Sequence, residues 1–235
     1  MRIRTHEIIN TSEACVMATD KPNRSRTGCE AEGDVFERDR RSSVVGRNMG
    51  LRVLVVCEFS GIVRDAFRAM GVDAWSCDLL PSESENEHHI IGDARNWMDN
   101  RWDILIAHPP CTHLAVSGAR WFKDKRKEQK EALDFVRAIF AAPIVRKCVE
   151  NPVSIISSQI RKPDQIIQPW QFGHGETKTT CLWLEGLPKL MPTNIVEGRE
   201  AKIHRMPPGA DRWKNRSRTY AGIAQAMASQ WSNPK

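Results

Sequence analysis

One apolar run that ends against two consecutive prolines constrains this chain more than any other stretch. Residues 104–107 read Ile-Leu-Ile-Ala, and His108, Pro109, Pro110 and Cys111 follow. A short apolar run of this length is the pattern of a buried strand. Each proline lacks an N–H and fixes its own φ, so neither continues a central strand. The chain therefore leaves the sheet in a rigid, extended turn and presents Cys111 at the strand's carboxyl end. In an open α/β sheet, ligands and chemistry sit at that edge. A cysteine there is either a nucleophile or a small buried hydrophobe, and this stretch alone leaves both open.

A second unit supports the α/β reading. Leu51 to Cys57 is apolar and rich in β-branched residues, the signature of a strand covered on both faces. Glu58-Phe59-Ser60-Gly61 is a turn, and Ile62, Val63, Ala66, Phe67 and Met70 then recur at helical spacing up to Gly71. A strand, a glycine turn and a helix form the first unit of a doubly wound nucleotide-binding fold. Asp73 to Cys77 predicts a second strand with Asp78 at its tip, where a carboxylate accepts hydrogen bonds from a ribose diol or is simply a loop acid. His88 to Asp93 predicts a third strand and Asp103 to Ala107 a fourth. Residues 112–120, with Gly118, predict a hinged loop that closes over the site. A charged helix follows from Asp124 to about Phe140. Ile144 to Val149 predicts a fifth strand, ended by Glu150-Asn151-Pro152, so that Cys111 and Glu150 terminate two consecutive strands. Residues 163–175 read as irregular, Thr179 to Leu184 as another strand, and Tyr220 to Trp231 as a final helix.

Composition narrows the class. With 235 residues the chain suits one sizeable domain. A formal charge of +6 favours an anionic partner such as nucleic acid. Seven cysteines, scattered without a CxxC pair, predict reduced thiols in a cytoplasmic setting, and no metal site is expected. No apolar run spans a membrane. Residues 1–48 carry no sustained period and mix acids with bases, so a disordered N-terminal extension is expected before a domain over 49–235.

In this order and spacing the motifs resemble those of the DNA cytosine-5 methyltransferase family. Phe59-Ser60-Gly61 resembles its first S-adenosylmethionine motif, and Asp78 and Asp93 stand at its ribose and adenine contacts. Pro109-Pro110-Cys111 resembles its proline–cysteine motif, Glu150-Asn151 its Glu-Asn motif, and Gln171 to Thr180 its glutamine-to-arginine stretch. Arg218 to Ala226 resembles the last motif, whose helix returns to the cofactor side. The resemblance implies a Rossmann-like class I S-adenosylmethionine-dependent methyltransferase fold with a doubly wound, mostly parallel sheet. It implies S-adenosylmethionine held by Phe59, Ser60, Gly61, Asp78, Asp93 and Pro109, catalysis by Cys111 and Glu150, and a flipped or unpaired cytosine of DNA met by Asn151, Lys178 and Thr180.

The departures are specific. Thr112 stands where glutamine is usual, Val63 replaces a glycine, Pro152 a valine, and Lys178 and Thr180 take the place of paired arginines. The target-recognition region is reduced to a segment over about 185–217, as in minimal phage or prophage members. Lys189, Arg199, Lys202, Arg205, Arg212, Lys214 and Arg216 surround that segment, either as phosphate contacts or as a solvated loop. Three other activities stay open: methylation of a free cytosine nucleotide, amino-methylation, and nucleic-acid binding without catalysis. A chain shortened to begin at Met49 is expected to fold and unfold at the same temperature as the full chain. Circular dichroism melts of the two check this, and loss of soluble protein on shortening contradicts it.

Overall fold

The computed structural model describes residues 50–84 and 87–232; the expected N-terminal extension lies outside them. The first strand, β1 (Arg52–Val56), points Val53 and Val55 to one face of the sheet and Leu54 and Val56 to the other, and all four are fully buried. Both faces are covered, so positions 53–56 carry no polar side chain. Helix α1 (Ile62–Ala69) follows and ends where Gly71, at φ 77°, reverses the chain. Then come β2 (Asp73–Asp78), β3 (His89–Ile91), β4 (Ile104–Ala107), α2 (Arg126–Ala141) and β5 (Arg146–Pro152). A short helix α3 (Ile156–Gln159) leads to β6 (Gln165–Ile167) and β7 (Thr180–Glu185). Two short helices, α4 (Lys202–Arg205) and α5 (Arg212–Ser217), precede the last, α6 (Ala221–Trp231).

The seven strands form one sheet in the order β3-β2-β1-β4-β5-β7-β6. The first five are parallel; β7 runs antiparallel to both β5 and β6. The fold is thus α/β with a mixed, mostly parallel sheet, in an order resembling that of class I S-adenosylmethionine-dependent methyltransferases. Helices α1 and α6 cover one face, where Phe67, Met227 and Trp231 pack on Val53, Ile104 and Leu182. Helix α2 covers the other, where Leu133, Val136 and Ile139 pack on Leu54, Leu105 and Trp183. Helix α2 ends without a glycine: the buried Lys147 Nζ donates to the carbonyls of Phe140 and Ala142 at 2.6 and 3.0 Å and pairs with Glu185 at 3.0 Å. A lysine on the last carbonyls replaces the left-handed cap. Among the described residues, no helix is long and apolar enough to cross a membrane.

Three local expectations change. Strand β5 does not stop at Val149, because Glu150, Asn151 and Pro152 pair with Leu182, Cys181 and Thr180 of β7. Proline is tolerated there as the last residue of the strand. The stretch expected to be irregular contains β6, too short for a period-2 pattern to register. The expected lid is pinned at its base: Leu114 and Ala115 donate to the Cys111 carbonyl, Val116 to that of Val153, and Ala115 bridges Ser154.

The close approach of α6 to the loop before β7 gives a test. A Cβ on Gly222 would lie 1.9 Å from the Phe172 carbonyl oxygen, and the Gly222 N–H donates to His174 Nε2 at 3.0 Å. Gly222→Ala is expected to force the helix off the loop and cost about 1–3 kcal/mol, as overpacking does. Urea unfolding measures the loss; an unchanged midpoint contradicts it.

Candidate active site

The carboxyl ends of β1, β2, β4 and β5 gather a set of acids around one imidazole. Beyond β1 the chain turns sharply. Cys57 adopts φ 59°, a left-handed conformation uncommon for a residue with a side chain, and Gly61 adopts φ 71°. The turn folds Glu58 under the start of α1, where its Oε1 accepts the Val63 N–H at 2.6 Å and its Oε2 the Arg64 N–H at 3.2 Å. Burial raises the Glu58 carboxyl above the ordinary carboxylate range, against the pull of His108 and of the two N–H groups. Arg64 is itself fully buried, with its guanidinium on Ser76, Ser82, Ser84 and Asp65. A Cβ on Gly61 would meet that guanidinium at 2.2 Å, so glycine is required twice there.

This arrangement discriminates among cofactors. A dinucleotide fold offers its first helix N-terminus to a pyrophosphate. Here the N–H groups of Val63 and Arg64 are already taken by an internal carboxylate, which repels phosphate. Asp78 ends β2, where burial raises its carboxyl and the Leu80 N–H, at 3.0 Å, partly offsets the rise. Buried Phe59 follows Glu58. Asp93 lies just past β3 with both oxygens on Arg95, from 2.5 to 3.0 Å, and that hydrogen bond holds its carboxyl below the ordinary carboxylate range. This expected cofactor contact is thus clasped by a neighbouring side chain. Ser60 lies in the turn, with its Oγ 3.5 Å from the Ile62 nitrogen.

On the neighbouring strands the chemical residues converge. Asn151 is buried, and its Nδ2 donates to the Pro109 carbonyl at 2.8 Å, tying β5 to the proline turn. One residue before each partner, His108 Nδ1 lies 3.0 Å from Glu150 Oε2, with side chains only 8% and 13% exposed. Burial works against both charges. The hydrogen bond and charge of Glu150, with Glu58, nevertheless hold the imidazole above its ordinary value; His108 and Lys178 hold the Glu150 carboxyl below its own. Each partner therefore favours the charged form of the other. Sequence reasoning gave His108 no role. Nothing along the chain signals that it faces Glu150, 42 positions away.

Cys111 is an exposed residue whose thiol is crowded by protein atoms. That burial and the Glu150 charge push the thiol up, while Lys178 and Arg216 draw it down. Lys178 donates to the carbonyls of Arg216 and Arg218 at 3.0 and 3.3 Å, and Thr180 Oγ1 donates to the Lys178 carbonyl. All three expected base contacts, Asn151 included, thus hold backbone. The end of the 185–217 segment returns to the cofactor edge, where Trp213 packs on Phe59 at 5.8 Å between centroids. Just beyond it Arg218 pairs with Glu83 at 2.6 Å. Among the described residues no cluster of three or more His, Cys, Asp or Glu is placed to hold a metal.

No model of a known protein family matches the chain, and no curated protein matches it. The class rests on the fold: a sheet order compatible with the S-adenosylmethionine-dependent methyltransferase superfamily.

The raised thiol gives a test in the free protein. A thiol reacts as its thiolate. Alkylation of Cys111 by iodoacetamide, followed by peptide mass spectrometry, is expected to be slow at neutral pH and still rising at about pH 9, above the ordinary thiol midpoint of about 8.5. A plateau near neutrality contradicts it.

Proposed function

We propose that this protein methylates carbon 5 of cytosine in DNA through a covalent adduct on Cys111. The observation that carries this reading is the Asn151–Pro109 hydrogen bond, which locks the Pro-Pro-Cys turn to the Glu-Asn strand and brings the Glu150 charge to bear on the Cys111 thiol. S-adenosylmethionine, when bound, supplies an electrophilic methyl group. Phe59, Ser60, Gly61 and Asp78 would hold it at the ends of the first two strands, with Asp93 and Pro109 at the flanks. Glu58 places a buried carboxyl at the same edge.

Carbon 5 of cytosine is a weak nucleophile. Addition of the Cys111 thiolate to carbon 6 makes it enamine-like and divides one hard step into two easier ones. Glu150 would hydrogen-bond ring nitrogen 3 and the exocyclic amine as charge develops. Lys178 and Arg216 favour the thiolate electrostatically. In a duplex this face of the ring is covered, so the base is flipped out or already unpaired.

Methylation of a free cytosine nucleotide is the second reading. It is favoured by Trp213 and Arg218, which commit the end of the would-be recognition segment to the cofactor edge instead of a duplex.

Labelled S-adenosylmethionine offered with duplex DNA and with dCMP separates the two. Label is expected in DNA, at 5-methylcytosine. DNA containing 5-fluorocytosine cannot lose a proton from carbon 5, so it is expected to give an adduct that survives denaturing electrophoresis and is absent from Cys111→Ser. Label in dCMP alone selects the second reading, and full methylation by Cys111→Ser overturns both.

A further inference from the structure

The mechanism above leaves the buried imidazole unused. His108 is the first residue beyond β4, and its own N–H still donates to the Val56 carbonyl at 3.0 Å, so its backbone is fixed by the sheet. Its Nδ1 meets Glu150 Oε2 at 3.0 Å. A carboxylate only accepts, so Nδ1 is the donor. Nε2 is buried and has no hydrogen-bond partner among the described residues. A histidine kept for packing alone satisfies its buried nitrogens; this one engages a single group, and that group is the candidate catalytic acid.

The charged groups that face it come from four elements: Glu58 from the β1–α1 turn, Asp78 from the end of β2, Glu150 from β5, and Lys178 from the segment before β7. Glu150 and Glu58 outweigh burial and Lys178 and draw the imidazole toward its charged form. Glu150 as a carboxylate has no proton to give to a ring nitrogen. One hydrogen bond away, His108 has.

We propose that His108 is a positioning residue that stores the proton Glu150 delivers to ring nitrogen 3 of the base. This rests on the cytosine reading above. As the sulfur of Cys111 bonds to carbon 6, the displaced π pair runs through carbon 5 and carbon 4 to nitrogen 3. Glu150 takes the Nδ1 proton of His108, which is left neutral, and passes it on to nitrogen 3. Once carbon 5 carries its methyl group, nitrogen 3 returns that proton through Glu150 to His108. Carbon 5 then loses its own proton to solvent, and the sulfur leaves with the carbon 6 bonding pair.

The sign of the pH dependence follows. The stored proton is present below the folded-state value of His108 and is lost as pH rises through it, whereas the thiolate of Cys111 grows with pH. The rate is therefore bell-shaped, with both limbs belonging to the coupled site.

The test follows the rate of adduct formation with 5-fluorocytosine duplex DNA and S-adenosylmethionine from about pH 6 to about pH 10, for wild type, His108→Gln and His108→Asn. Wild type is expected to fall on the alkaline side. Both variants are expected to lose that fall and keep only the rise, to be slower by about 10²-fold at neutral pH with little change in KM for DNA, and to recover in part with added imidazole. A folded variant that keeps the alkaline fall or the wild-type rate overturns the stored proton and leaves the cytosine reading intact. If neither variant folds, a 15N titration of His108 in wild type decides. A midpoint that coincides with either limb of the bell supports the proposal and one outside both overturns it. Absence of any wild-type adduct overturns the cytosine reading and this proposal together.

Discussion

The site depends on one hydrogen bond between two neighbouring strands. Pro109 and Pro110 take the chain out of β4, and nothing in the backbone alone fixes where such a turn points. Asn151 Nδ2, buried and aimed at the Pro109 carbonyl, fixes it. The strand pair beneath is parallel and in register, with Ala107 opposite Val149. The next positions along, His108 and Glu150, therefore meet at the sheet edge. Strand β7 extends β5 past this point by pairing with Glu150 and Asn151, so the acid is held by a strand and not by a loop. Catalytic groups on strands are placed more tightly than groups on loops.

Around that seam the charges are arranged by sign. Glu58, Asp78 and Glu150 sit along the carboxyl edge, and Lys178 and Arg216 stand on the side of Cys111. The acids make the helix α1 end unsuited to phosphate. The bases make the thiol side suited to an anionic partner. Lys178 links the two halves: its ammonium holds the carbonyls of Arg216 and Arg218, and Arg218 in turn holds Glu83 beside the cofactor edge.

Much of the site was legible in the chain because its determinants are local. The proline pair before Cys111, the glycine turn after β1, and the acid at the end of β2 are each read from a few adjacent residues. Other features were not legible. Strand β6 is three residues long, below the length at which alternation can be counted. The continuation of β5 through a proline contradicts local propensity and depends on pairing with β7. Asp93 reads as a ligand contact from its place after a strand; that it is clasped by Arg95 depends on side-chain geometry two residues on.

By itself, then, the sequence determined the alternation of strands and helices, the burial of β1 and β4 on both faces, and the exit of Cys111 from the sheet. The period of apolar residues and the stiffness of proline act within a few positions. Only the tertiary structure decided which strands are neighbours, that β7 reverses, and that His108 meets Glu150 across 42 positions. It also decided that the last part of the basic segment lies on Phe59. Those outcomes are set by packing and long-range pairing, where a residue's partner is chosen by the whole fold and leaves no periodic trace along the chain.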